Sequence, residues 1–191
     1  MNNNNVDIKD VLNLKNFAIA AINNKKYKNN VSNNFEESIS NFKIDGDKVV
    51  TKLNVHFERK NKKYTKIIFC IMSKEMENNI NSNNNTQYFA DVTYCCIPPN
   101  NKKFKLFTLL AFNKEKYHST LCNLSMISNE NTETFYTLFD YLKNKYNFKP
   151  KNITIDFSIA EYYGFKKVFN NIIIIPCFFH FGQSIVRDLL N

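Results

Sequence analysis

The chain has 191 residues, enough for one sizeable core, and 43% of them are hydrophobic, including 18 Phe and 10 Tyr. This composition excludes a disordered chain, and no apolar run approaches the roughly 18 residues that a membrane span needs. The net charge of +9 permits binding to phosphate backbones, but Lys supplies nearly all of it and Asn is very common. An AT-rich genome imposes the same bias on any protein, so the charge alone does not predict nucleic-acid binding.

The N-terminus and the cysteines predict an intracellular protein. The first ten residues, "MNNNNVDIKD", are polar and lack the apolar core of a secretory signal. Five cysteines, an odd number, are typical of reduced thiols inside the cell when no signal peptide precedes them. We therefore expect an intracellular location, nuclear in a eukaryote, and no membrane partner.

A low-complexity stretch, "NNINSNNNT", divides the chain into a region at 1–80 and a region at 81–191. The first is predicted to be a small α+β unit. Its predicted elements are a helix at 6–22, a loop at 23–34, a strand at 49–58, a turn at 59–63, a strand at 64–72 and a short helix capped by Ser73. The apolar residues of the first of these strands alternate, which indicates a β-hairpin with one face buried.

The second region is predicted to be α/β, with a mixed sheet. Its predicted elements are strands at 86–97, 103–112 and 118–127, a helix at 131–148, a strand at 151–156, a helix at 157–169, a strand at 171–176 and a helix at 177–190. Three antiparallel strands followed by alternating helices and strands match the ribonuclease H-like fold. The four consecutive isoleucines at 172–175 predict a strand buried on both faces.

Two aspartates are candidates for a catalytic metal site. Asp91 shares one strand face with Phe89 and Thr93, where an ionised carboxylate needs a partner or a metal. Asp156 is the last residue of its predicted strand, and ligands gather at the carboxyl ends of strands in α/β sheets. If the two strands are neighbours, the aspartates face each other and can share Mg²⁺ or Mn²⁺. Two such metals, about 4 Å apart, assist phosphodiester cleavage.

Each aspartate also has a purely structural interpretation. Asp156 could cap the helix that follows it, since Asp is among the best N-cap residues. Asp91 could point to solvent from an edge strand. Only the combination of both aspartates with the order of the strands favours the metal site.

Cys177 and His180 are three residues apart and are predicted to share a helix face. A closed zinc site needs two more ligands, normally from a second such pair, and the remaining Cys and His residues form none. A packed thiol and a hydrogen-bonded imidazole are the alternative.

With these residues placed, residues 66–190 resemble the Mutator-like element (MULE) transposases, DDE-type enzymes with a ribonuclease H-like catalytic domain. The segments that carry the resemblance are "FADVTY", "FTLLAF", "NENTETFYTLFDYLK", "NITIDFSIAE" and "CFFHFGQSI". The resemblance implies that Asp91 and Asp156 are catalytic metal ligands and that Cys177 and His180 form the accessory Cys-x-x-His element of the family. It also implies DNA partners, namely transposon ends and a target, and homo-oligomerisation.

The sequence departs from the family pattern at several points. Val92 stands where the family usually has Gly, and the third catalytic acid, a Glu, is expected beyond Asn191. Glu161 and Asp188 are acidic but lie in other predicted elements. The N-terminal zinc-binding module of relatives is not recognisable, so region 1–80 is interpreted as its remnant or as a lead-in to the catalytic domain.

Three functions remain open from the sequence. The first is a transposase domain that cuts and joins DNA by two-metal chemistry, with little activity expected from these 191 residues alone. The second is a non-catalytic DNA-binding or interaction protein derived from a transposase. The third is an unrelated α/β domain whose acids are helix caps. Exposure of Ile185, Val186, Leu189 and Leu190 is expected to favour self-association.

Overall fold

The computed structural model describes residues 31–44, 46–82, 85–93, 103–115 and 117–190. The described elements are, in chain order, α1 (Val31–Ser40), β1 (Lys43–Ile44), β2 (Asp47–Lys48), β3 (Val50–Arg59), β4 (Lys62–Ile71), α2 (Lys74–Ile80), β5 (Asn85–Thr93), β6 (Lys105–Asn113), β7 (His118–Ile127), α3 (Thr132–Tyr146), β8 (Asn152–Ile155), α4 (Ile159–Val168), β9 (Ile173–Pro176) and α5 (Phe178–Leu190). The helix predicted at 6–22 lies outside the described residues. No described helix is long and apolar enough to cross a membrane.

Seven strands form one mixed sheet in the order β3-β4-β7-β6-β5-β8-β9. The pairs from β3 through to β5 are antiparallel, and β5, β8 and β9 are parallel to one another. The predicted α/β class and the predicted order of elements after residue 85 are therefore confirmed. The predicted hairpin, β3–β4, joins the same sheet through β7.

The start of the first described helix contradicts the loop predicted for residues 23–34. Residues 31–34, predicted as loop, form the first turn of α1, which runs over Val31–Ser40. Val, Ser and Asn, which fill these positions, have weak helix propensity, but tertiary packing overrides it. Ile39 is buried in a cluster with Phe69 and Phe104, and Phe35 packs against that cluster. The ring centroids of Phe35 and Phe104 are 5.9 Å apart.

Helices α3 and α4 cover the main core beside the central strands. Helix α3 buries Phe135, Leu138, Phe139 and Leu142 on one face and is capped by Asn131. The two helices approach closely at Gly164, where an added Cβ would lie 2.5 Å from the Cβ atom of Phe135. Phe139 and Phe165 stack with ring centroids 3.7 Å apart. This contact fixes α4, and with it the loop that follows β8.

The prediction that the isoleucine run is buried on both faces is wrong. Ile173 is 60% exposed and Ile175 is 40% exposed, whereas Ile172 is buried and Ile174 is half-buried. In the described sheet β9 is the last strand and pairs with β8 alone. Four apolar residues in a row do not distinguish a central strand from an edge strand, because the neighbours of a strand come from distant parts of the chain.

Candidate active site

Asp91 lies on β5, in the middle of the sheet. Its predicted face is confirmed: Tyr88, Ala90 and Val92 are buried, while Phe89 on the same face as Asp91 is 37% exposed. The structure contradicts the alternative that Asp91 projects from an edge strand, because β5 lies between β6 and β8. The Asp91 side chain is 44% exposed, so its charge remains partly hydrated.

The carboxylate of Asp91 has neighbours at both of its oxygens. The hydroxyl of Thr93 donates to Oδ2 at 3.0 Å. Nε2 of His180, at the start of α5, lies 3.7 Å from Oδ1. His180 lies 89 positions further along the chain than Asp91, on the helix that follows β9. These two contacts orient Asp91 toward the carboxyl edge of the strand.

Asp156 is the first residue after β8, which ends at Ile155. Its Oδ1 atom accepts a hydrogen bond from the backbone N–H of Ser158 at 2.7 Å. The N-cap of α4 is Ser158, whose hydroxyl accepts from the N–H of Glu161 at 3.3 Å. The structure therefore contradicts the alternative that Asp156 is the helix cap. Asp156 instead accepts a hydrogen bond from the backbone of Ser158, the capping residue.

Strands β5 and β8 are neighbours in the sheet, as predicted. Tyr88 pairs with Ile153 and Phe89 with Thr154 in this parallel ladder. Asp91 follows Phe89 by two residues and Asp156 follows Thr154 by two residues, so both aspartates lie just beyond the paired residues, at the carboxyl end of the ladder. Asp91 is still within β5, whereas Asp156 is the first residue after β8.

A third carboxylate, Glu161, lies close to this pair. Glu161 is on the first turn of α4, and its side chain is completely buried. Neither of its carboxylate oxygens has a hydrogen-bond partner among the described residues. Burial raises the pKa of Glu161 well above its usual range. The neighbouring carboxylates raise this pKa further, in the order Asp156, Asp91 and Glu130.

Further charged groups and two helix N-termini lie at the same edge of the sheet. Lys105, at the start of β6, forms an ion pair with Glu130 with the Nζ–Oε1 distance at 2.8 Å. Glu130 directly precedes Asn131, the N-cap of α3. The N-termini of α3 and α4 therefore both lie near the acids, and their partial positive charges stabilise nearby anions.

Cys177 and His180 are held next to the end of β8. The backbone N–H of Cys177 donates to the carbonyl of Ile155 at 2.7 Å, and its carbonyl accepts from Phe181 at 3.1 Å. Cys177 is a free, partly exposed thiol just before α5. His180 of this motif contacts Asp91. The motif thus borders the aspartates, as expected.

The described residues include no group of three or more His, Cys, Asp or Glu side chains arranged to hold a metal ion. The donor chemistry nevertheless suits Mg²⁺ or Mn²⁺, because Asp91, Asp156 and Glu161 offer only carboxylate oxygens. The unpartnered, buried oxygens of Glu161 are the observation that fits such a cation best.

The position of Glu161 in the sequence carries a signal for a functional residue, namely its spacing from the apolar residues of α4. It falls at i, i+3, i+4 and i+7 with Gly164, Phe165 and Val168, the buried face of α4. An acid in the apolar stripe of a helix is unusual, since buried carboxylates need partners. That pattern, next to two strand-end aspartates, would have identified the residue.

One comparison with known proteins found a match. A family model described as MULE transposase domain matches residues 88–184, just over half of the chain. The match begins in β5 and ends in α5, so it includes Asp91, Asp156, Cys177 and His180. Neither the curated proteins nor the solved structures contain a match to this chain.

Proposed function

We propose that this chain, which belongs to the MULE transposase family, cuts and joins DNA through a site built on Asp91 and Asp156. The DNA partners are the ends of a transposable element and a target, and the protein acts as a homo-oligomer. The fold proposed for it is ribonuclease H-like, since β7-β6-β5-β8-β9 contains three antiparallel strands followed by two parallel ones.

The observation that supports this proposal is the position of the two aspartates on neighbouring strands. Asp91 and Asp156 each follow the last paired residue of the parallel β5–β8 ladder by two positions, at the carboxyl edge where α/β proteins bind ligands. Two adjacent carboxylates repel each other, so their joint ionisation favours a divalent cation between them. Mg²⁺ or Mn²⁺ held there would supply activation of the attacking oxygen and stabilisation of the leaving oxygen in phosphodiester cleavage.

The neighbouring residues keep these carboxylates in place. Asp156 is oriented by the N–H of Ser158, which leaves its second oxygen free for a ligand. Asp91 is oriented by Thr93 and His180. Because catalysis falls steeply with small displacements of the reacting groups, these three contacts are proposed to position the site.

Cleavage of supercoiled plasmid DNA by the purified chain in Mn²⁺ tests the proposal. Little nicking is expected from these 191 residues alone, and any that occurs should be lost in Asp91→Asn and in Asp156→Asn, because an amide is a far weaker cation ligand. Asp47→Asn is the matched control, since Asp47 is exposed on β2. Unimpaired nicking by Asp91→Asn or by Asp156→Asn would contradict the assigned roles.

A second function, DNA or protein binding without catalysis, is favoured by one observation. The described acids do not form a group arranged to hold a metal ion. This function predicts that the unsubstituted chain binds DNA in EDTA, with an affinity that falls steeply with salt, and never nicks plasmid in Mn²⁺. Fluorescence anisotropy with labelled duplex DNA, combined with the nicking assay, separates the two functions.

A further inference from the structure

We propose that a basic ribbon, residues 55–66 of the β3–β4 hairpin, binds duplex DNA by entering its major groove. The ribbon lies outside residues 88–184, which the family model matches, and outside the site of Asp91 and Asp156. The inference therefore goes beyond the proposed function, because it assigns DNA binding to a separate part of the chain. It is carried by the shape, the charge and the position of the ribbon.

The basic ribbon projects from the sheet as two paired strands. Strand β7 and the following Ser128 pair with β4 from Ile67 to Ile71. Residues 55–59 of β3 and 62–66 of β4 pair with each other and with no third strand of the described sheet. Five residues per strand span about 17 Å, at roughly 3.4 Å per residue. The hairpin is therefore an arm that extends past β7.

The arm is held in one conformation up to its tip. Its strands pair without a bulge from Val55, which is buried in the main core, to the turn. Phe57 and Tyr64 face each other across the two strands and stack with ring centroids 5.4 Å apart. Lys60 and Asn61 have φ angles of 51° and 59°, as in the type I′ turn that matches the twist of a hairpin. A rigid arm loses little conformational freedom on binding.

The basic ribbon concentrates positive charge. It contains one acid, Glu58, and five basic residues, which are Arg59, Lys60, Lys62, Lys63 and Lys66. Five positive charges and one negative give +4, against +9 for the whole chain. Five lysines elsewhere in the described chain pair with glutamates, whereas none of the basic side chains of the ribbon does. These side chains are therefore available to the phosphates of a nucleic acid.

Two features of the tip are unfavourable in the protein by itself. Arg59 lies directly opposite Lys62, and like charges at facing positions of two strands destabilise the pair. Lys60 occupies a turn position with positive φ, where Asn or Gly is preferred. Hairpin formation therefore explains neither the facing charges nor the lysine in the turn. A negatively charged partner compensates the repulsion and gives the Lys60 charge a role.

The shape of the ribbon selects duplex DNA among anionic partners. Side chains alternate along each strand, so the facing Arg59 and Lys62 share one face with Lys66. The major groove of B-DNA, about 12 Å wide, admits a two-stranded ribbon, and its walls are lined by phosphates. The major groove of duplex RNA is too deep and narrow for such an entry. We therefore expect a preference for DNA over RNA of the same sequence.

The ribbon lies at the same edge of the sheet as the candidate active site. Strands β3, β7 and β5 run in one direction, because β4 and β6 are antiparallel to their neighbours. The end of β3 therefore points to the edge where β5 ends, which is the edge of Asp91 and Asp156. DNA held by the ribbon is kept next to that site.

Fluorescence anisotropy with labelled duplex DNA in EDTA tests the inference without catalysis. The ribbon variant combines Arg59→Gln, Lys62→Gln and Lys66→Gln. The control variant changes three exposed lysines that precede β3 or β8, by Lys48→Gln, Lys149→Gln and Lys151→Gln. We expect the ribbon variant to bind at least about tenfold more weakly, and its log affinity to fall less steeply with log salt by up to about 3, since each phosphate contact contributes about 0.9. The control variant should lose little.

A single change at the turn separates loss of contact from loss of the fold. Asn suits the positive φ of position 60, so Lys60→Asn should bind DNA more weakly while melting at or above the temperature of the unsubstituted chain. Melting of Lys60→Asn at that temperature with unchanged DNA affinity would contradict a contact at the tip.

The outcomes distinguish this inference from the proposed function. If the ribbon variant and the control variant bind DNA equally well, the ribbon is not the binding site, although DNA remains the partner of the chain. If duplex RNA binds as tightly as DNA, the ribbon does not enter the major groove. If the unsubstituted chain binds no duplex DNA, both the inference and the DNA partner are wrong. If only the ribbon variant loses affinity, the inference holds whether or not the chain nicks DNA.

Discussion

Nε2 of His180 lies 3.7 Å from Oδ1 of Asp91, so the helix at the end of the chain contacts the central strand of the sheet. The contact connects two motifs that the sequence keeps apart, the strand aspartate and the Cys-x-x-His element. Thr93 binds the other oxygen of Asp91. The carboxylate is therefore held between a neighbour on its own strand and a side chain from α5.

Removal of this histidine is expected to disturb Asp91. We predict that His180→Ala weakens Mn²⁺ binding by about tenfold, because groups that orient a ligand typically contribute 10–100-fold at metal sites. Mn²⁺ titration measures the change. His56→Ala is the control, since His56 is exposed on β3 and contacts Thr65. Equal affinities for His180→Ala and the unsubstituted chain would show that the contact does not position Asp91.

The close approach of α3 and α4 predicts a large effect of a single methyl group. A Cβ at Gly164 would lie 2.5 Å from Cβ of Phe135, so Gly164→Ala forces the helices apart. We expect a loss of about 1–3 kcal/mol in the free energy of unfolding, the usual cost of overpacking. Urea denaturation measures it. Gly182→Ala, in α5 with nothing within 4 Å of the added Cβ, should instead be neutral or gain up to about 1 kcal/mol.

Glu161 predicts a pH dependence of stability. Burial raises its pKa in the folded state above the reference value of 4.5, so the folded protein holds this proton more tightly than the unfolded chain. Stability contributed by Glu161 therefore falls as pH rises from about 4.5 toward the folded-state pKa, by up to about 1.4 kcal/mol per pH unit. Relative to the unsubstituted chain, Glu161→Gln should gain stability with rising pH in metal-free buffer. Denaturation at several pH values measures the difference, and equal pH profiles for the variant and the unsubstituted chain would contradict the prediction.

The described thiols should differ in reactivity. Burial raises the pKa of Cys70 to about 11 and that of Cys122 to about 12, so few thiolates form at pH 8. Cys177 is partly exposed. We expect iodoacetamide at pH 8 to label Cys177 well before Cys70 and Cys122 in the folded protein, and all three at similar rates in urea. Peptide mass mapping measures each site, and fast labelling of native Cys70 would contradict the described core.

The surface of α5 predicts self-association. Phe178 is 83% exposed and Phe179 is 66% exposed, and Ile185 and Val186 are exposed as the sequence analysis expected. The side chains of Leu189 and Leu190 lie outside the described part of the structure. Clustered apolar side chains on a surface favour association.

We therefore expect the double variant Phe178→Gln and Phe179→Gln to reduce the concentration-dependent increase in light-scattering mass. Tyr117→Gln, which removes an isolated side chain that is 80% exposed, is the matched control. A monodisperse monomer of the unsubstituted chain at high concentration would contradict the prediction.

Local patterns in the sequence were sufficient for most of the elements after residue 48 and for one helix cap. Ser73 caps α2, as predicted, because an N-cap depends on a side chain and a backbone N–H three residues away. The strand at 118–127 was predicted with the bounds it has in the structure. The alternation of Leu53, Val55 and Phe57 also appears as the half-buried face of β3.

Contacts between distant segments could not be read in this way. Whether the isoleucine strand lies in the middle or at the edge depends on which strands pair with it, and Ile173 proved to be exposed. The first turn of α1 exists because Phe35 and Ile39 pack on residues far along the chain. The end of the predicted strand at 86–97 lies partly outside the described residues.

The sequence by itself determined that the chain forms an α/β domain with aspartates at positions 91 and 156, because hydrophobic periodicity and capping act over a few residues. Only the tertiary structure decided how the acids are related. The pairing of β5 with β8 makes the strands of Asp91 and Asp156 neighbours, Glu161 is buried on α4, and His180 on α5 contacts Asp91. Those relationships come from the burial of one core by segments that are distant in the sequence, and that burial is a property of the whole chain.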